Sequence, residues 1–253
     1  MKQMTNDEFK DFIESFKKGK YENHRFYDRV TELSKSDEER KDPLIKHPIK
    51  MYALDWIVRA SGKWIGDKRP KTTDALYINN DEYGNLSLHI IEFKFISYTG
   101  YKTKMKNLFS RVEDLHNNNN INCFDKTFYE DFEDITKRYK DPIAHSLQMK
   151  PFEAIFIVLP YLYDEYCDNN PKIEKKDIRD YLNNIDKYYW SFIGNYSKNQ
   201  DHINQQVKKY NSACKRLEQG IFKKAAVKNK NYFPNILDNE ILGNSYEYLK
   251  MFG

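Results

Sequence analysis

The sequence predicts an α/β fold with a four-stranded mixed sheet flanked by helices and extended by helices at both ends. Three observations carry that expectation. The stretch 72–96 has the pattern of a β-hairpin: Thr72-Thr73-Asp74-Ala75-Leu76-Tyr77-Ile78, a polar turn, then Leu86 to Ile96. The segment 152–159 is apolar after Glu153, which suits a strand in the middle of a sheet. Between and around these lie segments with apolar residues at helical spacing.

The hairpin is the element on which the rest is organised. Its turn, Asn79 to Asn85, is rich in residues that tolerate left-handed backbone angles. Ile90, Ile91, Phe93, Phe95 and Ile96 form a nearly continuous apolar run, broken by Glu92 and Lys94. In a strand, residues two apart share a face, so the carboxylate and the ammonium lie side by side. Burying both is costly unless something offsets the lost hydration. One reading is a structural ion pair or a polar face turned to water. The other is an active site: Asp74 enters from the neighbouring strand and meets Glu92 to hold a divalent metal, while Lys94 orients or activates the attacking water. Hard oxygen ligands suit Mg²⁺, which binds through one or two carboxylates plus waters and phosphate oxygens.

Asp74, seventeen intervening residues, then Glu92-Phe93-Lys94 on an apolar strand resembles the motif of the PD-(D/E)xK nuclease superfamily. The resemblance covers residues 45 to 160. It implies a restriction-endonuclease-like core of a helix, three strands, a helix and a fourth strand. It also implies a Mg²⁺-dependent phosphodiesterase, with Mn²⁺ able to substitute, that acts most often on DNA. Thr73 stands where the family often has proline. The metal ligands so implied are Asp74, Glu92 and the Phe93 backbone carbonyl, with Asp74, Glu92 and Lys94 as the catalytic set. The family often adds an acidic residue from the first core helix. Asp55 is the candidate, with Glu38 and Glu39 upstream as the alternative. A pair between Asp55 and Arg59, four residues on, is the structural reading of the same residue.

At the N-terminus, residues 5–19 are predicted helical, capped by Thr5 or Asn6, with Phe9, Phe12, Ile13 and Phe16 as the apolar stripe. A weaker helix is expected over 24–34, and 34–43 is a charged break. Pro48 to Arg59 is predicted to be the first core helix and 63–66 a short first strand. Helices are expected over 103–116 and 125–140, and a short one from Asp141-Pro142 to Lys150, carrying His145 and Gln148. Residues 175–193 and 201–226 are predicted as two long helices. The chain divides on this reading into an N-terminal helical extension (1–44), a nuclease-like α/β core (45–165) and a C-terminal helical part packed on it (166–253).

Candidate nucleic-acid contacts are Lys68, Arg69 and Lys71 just ahead of Asp74, Lys104 on the following helix, and His145 and Gln148. Lys208, Lys215 and Arg216 lie on the most basic helix. A solvated lysine face is the alternative for each basic group.

Composition narrows the class. Of 253 residues, 32% are charged, and the 20 Tyr and 16 Phe supply much of the apolar content. The net charge of +4 permits nucleic-acid binding without arguing for it. Cys123, Cys167 and Cys214 have no metal-ligand or disulfide-framework spacing. No apolar run approaches a membrane span and the N-terminus lacks a signal-peptide core, so a cytoplasmic protein without a membrane partner is expected. The function expected is a restriction-type DNA endonuclease. A phage, recombination or repair nuclease is the alternative, as is a non-catalytic nucleic-acid-binding protein of the same fold. A homodimer is compatible with cutting two strands.

Overall fold

A computed structural model describes residues 3–18, 26–35, 42–61, 70, 72–81, 83–96, 142–195 and 200–237. The architecture is α/β: a six-stranded mixed sheet in chain order, flanked by helices. The strands are β1 (Tyr27–Arg29), β2 (Lys50–Tyr52), β3 (Ala75–Asn80), β4 (Leu86–Ile96), β5 (Asp186–Asn195) and β6 (Lys224–Asn229). β1 to β4 run antiparallel to their neighbours, whereas β5 is parallel to β4 and β6 is parallel to β5. The parallel steps require long connections. The first returns through α4 (Pro142–Glu153), a π-helical segment (Ala154–Val158), α5 (Leu159–Asn169) and α6 (Ile178–Asn184). The second is α7 (Gln200–Gly220).

The N-terminal helix forms where expected. In α1 (Asn6–Glu14) the Thr5 hydroxyl accepts from the Glu8 amide, and the Glu8 carboxylate accepts from the Thr5 amide at 2.8 Å. This reciprocal cap satisfies two of the helix's orphan donors. Phe9, Phe12 and Ile13 are buried beneath it, and Phe16 follows on a 3-10 turn. The hairpin also holds. β3 and β4 pair from Ala75↔Ile91 to Asn80↔Leu86. Asp81 closes the turn by accepting from the amides of Tyr83 and Asn85, and Gly84 takes the left-handed conformation at φ 81°.

Six expectations are corrected. The sheet has six strands rather than four, and the chain beyond residue 165 supplies two of them. Residues 152–159 are helical. Ala154, Ile155, Val158, Leu159 and Leu162 are buried while Ile157 is 48% exposed, which is the one-sided burial of a helix. An eight-residue apolar run does not distinguish a buried strand from a buried helical segment. Pro151 and Pro160 each lack an amide donor, and the wider π turns lie between them. The long helix expected over 175–193 is instead α6 followed by β5, and the helix over 201–226 stops at Gly220 before β6. In β5 the alternation is plain: Tyr189, Ser191 and Ile193 face one side, and Trp190 and Phe192 the other. Further upstream, the segment 24–34 contains β1 and a single helical turn, α2 (Val30–Leu33). The helix expected from Pro48 begins only after β2, as α3 (Leu54–Ser61). The strand expected at 63–66 and the helices expected at 103–116 and 125–140 lie outside the described residues.

Two apolar layers follow from the strand alternation. Leu76, Leu88, Ile90 and Tyr189 pack with Phe9, Phe12, Leu147, Ile155 and Leu217 from α1, α4, the π segment and α7. On the other face, Ile91, Trp190 and Phe192 pack with Val30, Leu44 and Phe233. The outer edge of β6 is covered from within the chain. The Ala225 amide donates to Glu218 and the Val227 amide to Asn211, both on α7. An edge strand so capped offers fewer donors to a foreign strand.

Candidate functional site

The site lies at the start of β3 and the distal half of β4, on the sheet face covered by α4. Continuing the β3–β4 register by one residue from Ala75↔Ile91 sets Asp74 opposite Glu92. Both then share the face of Leu76 and Ile90. The Phe93 amide donates to Asp74 Oδ2 at 2.6 Å, so the aspartate caps the ladder where β3 begins. In an antiparallel strand the N–H and C=O of one residue point to the same side, so the Phe93 carbonyl also faces the β3 side of β4.

Glu92 is fully buried. Its Oε1 pairs with Lys94 Nζ at 2.5 Å and with Lys150 Nζ at 2.6 Å. The two ammonium groups retain 23% and 17% side-chain exposure, so the cations lie between the buried carboxylate and solvent. Ionising a carboxylate in such a place costs several kcal/mol of hydration, and two cations at hydrogen-bond distance offset it. Burial works against the Lys150 ammonium, yet the Glu92 and Asp74 charges outweigh it and hold its pKa above the usual lysine value. The second oxygen, Glu92 Oε2, is buried and has no hydrogen-bond partner.

Asp74 is raised from 3.8 to about 7. Burial is the main cause and repulsion from Glu92 the second; Lys150, Lys94 and the Phe93 amide pull the other way without prevailing. The residue keeps some contact with solvent. Two carboxylates brought together against an apolar floor thus compete for ionisation. A divalent cation relieves that competition. An unpartnered buried oxygen on Glu92, a neighbouring Asp74 and a carbonyl on the same side form a hard-oxygen donor set that fits Mg²⁺. Among the described residues, no group of three or more His, Cys, Asp or Glu is placed to hold a metal, so protein carboxylates alone would supply two ligands.

The remaining candidates are placed as follows. Asp55, on α3, accepts from the Thr72 hydroxyl at 2.7 Å and pairs with Arg59 at 2.6 Å. Both its oxygens are thereby engaged, and through Thr72 it anchors the segment that leads into Asp74. Gln148 donates to the Ala213 carbonyl at 2.9 Å and ties α4 to α7. That bond gives it a packing role. Lys208, Lys215 and Arg216 are exposed on α7. Lys68, Arg69, Lys71 and Lys104 lie outside the described residues, as does the side chain of His145.

Three groups at the site escaped the sequence reading. Lys150 is one, brought to Glu92 across 58 positions of chain. Its signal was electrostatic: a buried Glu92 beside a two-faced apolar strand calls for more positive charge than Lys94 alone. Ser191 and Tyr189 are the others. Ser191 is in register with Glu92, and the Ser191 and Tyr189 hydroxyls are buried near one another. Burial first, and the Glu92 charge second, push the Tyr189 phenol well above its ordinary value. The aromatic alternation of Tyr188 to Phe192 would have revealed this strand. Compared with family models, curated proteins and solved structures, the chain matches none.

Proposed function

We propose that this chain is a Mg²⁺-dependent phosphodiesterase acting on nucleic acid, with DNA as the substrate and a restriction-type endonuclease as the specific form. The observation that carries the reading is the gathering of Asp74, Lys94 and Lys150 about Glu92, whose Oε1 takes both lysines and whose Oε2 is buried with no partner. The strand order supports it. β2, β3 and β4 form an antiparallel meander, and a helical crossover leads to β5 parallel to β4. A helix followed by a further strand after the Glu-x-Lys strand is the order that resemblance implies, although α3 falls between β2 and β3 instead of before them.

In this reading Asp74 and Glu92 hold the cation, assisted by the Phe93 carbonyl. When bound, Mg²⁺ supplies charge neutralisation at the phosphate and lowers the pKa of a bound water. The chain's own groups do the positioning. Lys94 and Lys150 hold and orient the Glu92 carboxylate. Lys94, the more exposed of the two, orients the attacking water and stabilises negative charge developing on the phosphoryl oxygens. The Phe93 amide fixes the Asp74 carboxylate. Ser191 and Tyr189 add polar hydroxyls next to the carboxylate, while Ile90 and Leu76 exclude bulk water from behind it.

One observation favours a second reading, a non-catalytic nucleic-acid-binding protein: Glu92 Oε1 is already satisfied by two lysines, as in a structural ion triad. Incubation with plasmid, linear and single-stranded DNA, in Mg²⁺ or EDTA, separates the two. Metal-dependent cleavage by the wild type, lost in Lys94→Ala and in Asp74→Asn, is the expected outcome. Affinity for DNA with no cleavage in Mg²⁺ or Mn²⁺ would favour the second.

A further inference from the structure

A second concave surface lies at the other end of β3, on the same sheet face as Asp74. From Asp74 to Ile78–Asn80 is four to six residues, roughly 13–20 Å of strand. There a cavity of about 240 Å³ opens between α1 with its 3-10 turn (Ser15–Lys17) and strands β1 to β3. Its floor is apolar and aromatic. Tyr27 and Tyr52 are directly paired across β1 and β2, with ring centroids 4.8 Å apart, and Ile78 completes the floor.

The rim is cationic. Lys10 and Lys17 lie seven positions apart, on one face of the N-terminal helical stretch, and Lys50 faces them from β2. Lys17 Nζ stands 4.5 Å from the centre of the Tyr27 ring and 5.5 Å from that of Tyr52. Lys50 Nζ is 5.8 Å from the Tyr27 ring centre. Two ammonium groups are therefore gathered on one tyrosine. Among the described residues, Glu14 answers them from 3.9 Å off Lys17. A purely solvated lysine face has no reason to bring like charges together over an aromatic floor. A ring held beneath cations is what a nucleotide unit needs: a π surface for the base and ammonium groups for the phosphate.

We infer that the Tyr27–Tyr52 cavity with its Lys10, Lys17 and Lys50 rim is a binding site for a nucleotide unit, taking an unstacked base against the half-exposed Tyr27, which the buried Tyr52 backs, and its phosphate on the lysines. The shared chemistry has two sources, a free mononucleotide or one residue of a single strand. The site stands apart from the hydrolytic reading, because binding needs neither metal nor cleavage.

The test is fluorescence anisotropy of the full chain with labelled dT12 in EDTA, across a salt series. The double reversal Lys17→Glu/Lys50→Glu changes two exposed side chains. It is expected to weaken dT12 binding ~10-fold or more and to flatten the log–log salt slope by about 1.4, two phosphate contacts at ~0.7 each. Far-UV circular dichroism and melting temperature check that the fold is kept. If the reversal lowers the melting temperature, Lys17→Gln/Lys50→Gln replaces it with the same expectation at smaller size. Unlabelled dTMP at millimolar concentration identifies the source: displacement of dT12 assigns a mononucleotide, and no displacement assigns the strand. Wild-type affinity and salt slope in the charge variants would overturn the inference, as would absence of binding to both dT12 and dTMP. Plasmid cleavage by the wild type is scored separately, so either site can fail without the other.

Discussion

Removing the charge of Asp74 should stabilise the metal-free protein, increasingly so as pH rises from about 4 to 7. The folded state raises this carboxyl from 3.8 to about 7. Between those values the native chain holds a proton that the unfolded chain has released, so stability falls as pH rises through the window and the full penalty applies above it. At 1.36 kcal/mol per pH unit the ceiling is ~4 kcal/mol. The residue's partial contact with solvent lowers the working figure to ~1–2 kcal/mol. Asparagine keeps an oxygen to accept from the Phe93 amide and carries no charge to bury. Asp74→Asn should therefore exceed the wild type by ~1–2 kcal/mol at pH 8, or ~2–8 °C in melting temperature for a chain of this size. The advantage should vanish near pH 4. Urea and thermal unfolding in EDTA at pH 4.5, 6, 7 and 8 measure it, and His89 titrates alike in both proteins and cancels. Millimolar Mg²⁺ added at pH 8 should raise the melting temperature of the wild type and leave the variant unmoved. A stability difference that is constant with pH, or a variant less stable at pH 8, would refute the electrostatic account of the site.

Four further outcomes follow from particular contacts. Lys150→Met removes one of the two cations on Glu92 and should cost ~1–3 kcal/mol in urea unfolding, together with most of any Mg²⁺-dependent cleavage; wild-type values for both would show Lys94 alone to be sufficient. Lys187, buried in β5, donates to the carbonyls of Leu182, Asn183 and Ile185 at the end of α6, so Lys187→Met should lose ~1–3 kcal/mol by the same measurement, with no change in DNA binding. Gly194→Ala places a Cβ against Leu44 Cδ1 and should cost ~1–3 kcal/mol, partly recovered by Leu44→Ala in the double variant. Asn211→Leu with Glu218→Leu uncovers the Val227 and Ala225 amides on the edge of β6 and should produce concentration-dependent association in size-exclusion chromatography; a monodisperse variant would show that the capping bonds are not what protects the edge.

The hairpin and α1 were legible because their signals are local. Thr5 and Glu8 cap a helix from three residues apart, and Asp81 to Asn85 make a turn without outside help. Glu92 and Lys94 could be placed on one face from spacing alone, and Asp74 could be set opposite them from the length of the turn. β5 was not legible in the same way. Tyr181, Leu182, Ile185, Tyr189 and Phe192 also fit a helical period, and the break between α6 and β5 rests on Lys187, whose ammonium binds the last helical carbonyls from the next element. The 152–159 segment failed for the opposite reason. Its β-branched and aromatic residues favour a strand locally, and burial against Phe12 and Leu217 selects the helix.

The missing half of the charge balance is where sequence reasoning had most to gain. Glu92 at 0% exposure, with one cation two residues away, is an unfinished arrangement: Lys94 can neutralise a single negative charge, and Asp74 brings a second to the same face. Either a proton, a metal or another cation has to enter. Lys150 reaches in from α4, and Asp74 is raised toward neutral pH. The position of Lys150 explains why α4 must pack where it does. Gln148, two residues earlier, is fixed to the Ala213 carbonyl, and Leu147 is buried in the core beside it, so the helix is locked in rotation and height before its lysine reaches Glu92. Gln148→Ala should then act at a distance. It leaves every charged group in place, yet it should loosen Lys150 and shift the pH midpoint of the Asp74-dependent stability upward, because Lys150 is the strongest of the groups that hold the Asp74 pKa down. An unchanged midpoint in the Asp74→Asn comparison, repeated on the Gln148→Ala background, would show that α4 holds Lys150 through core packing alone.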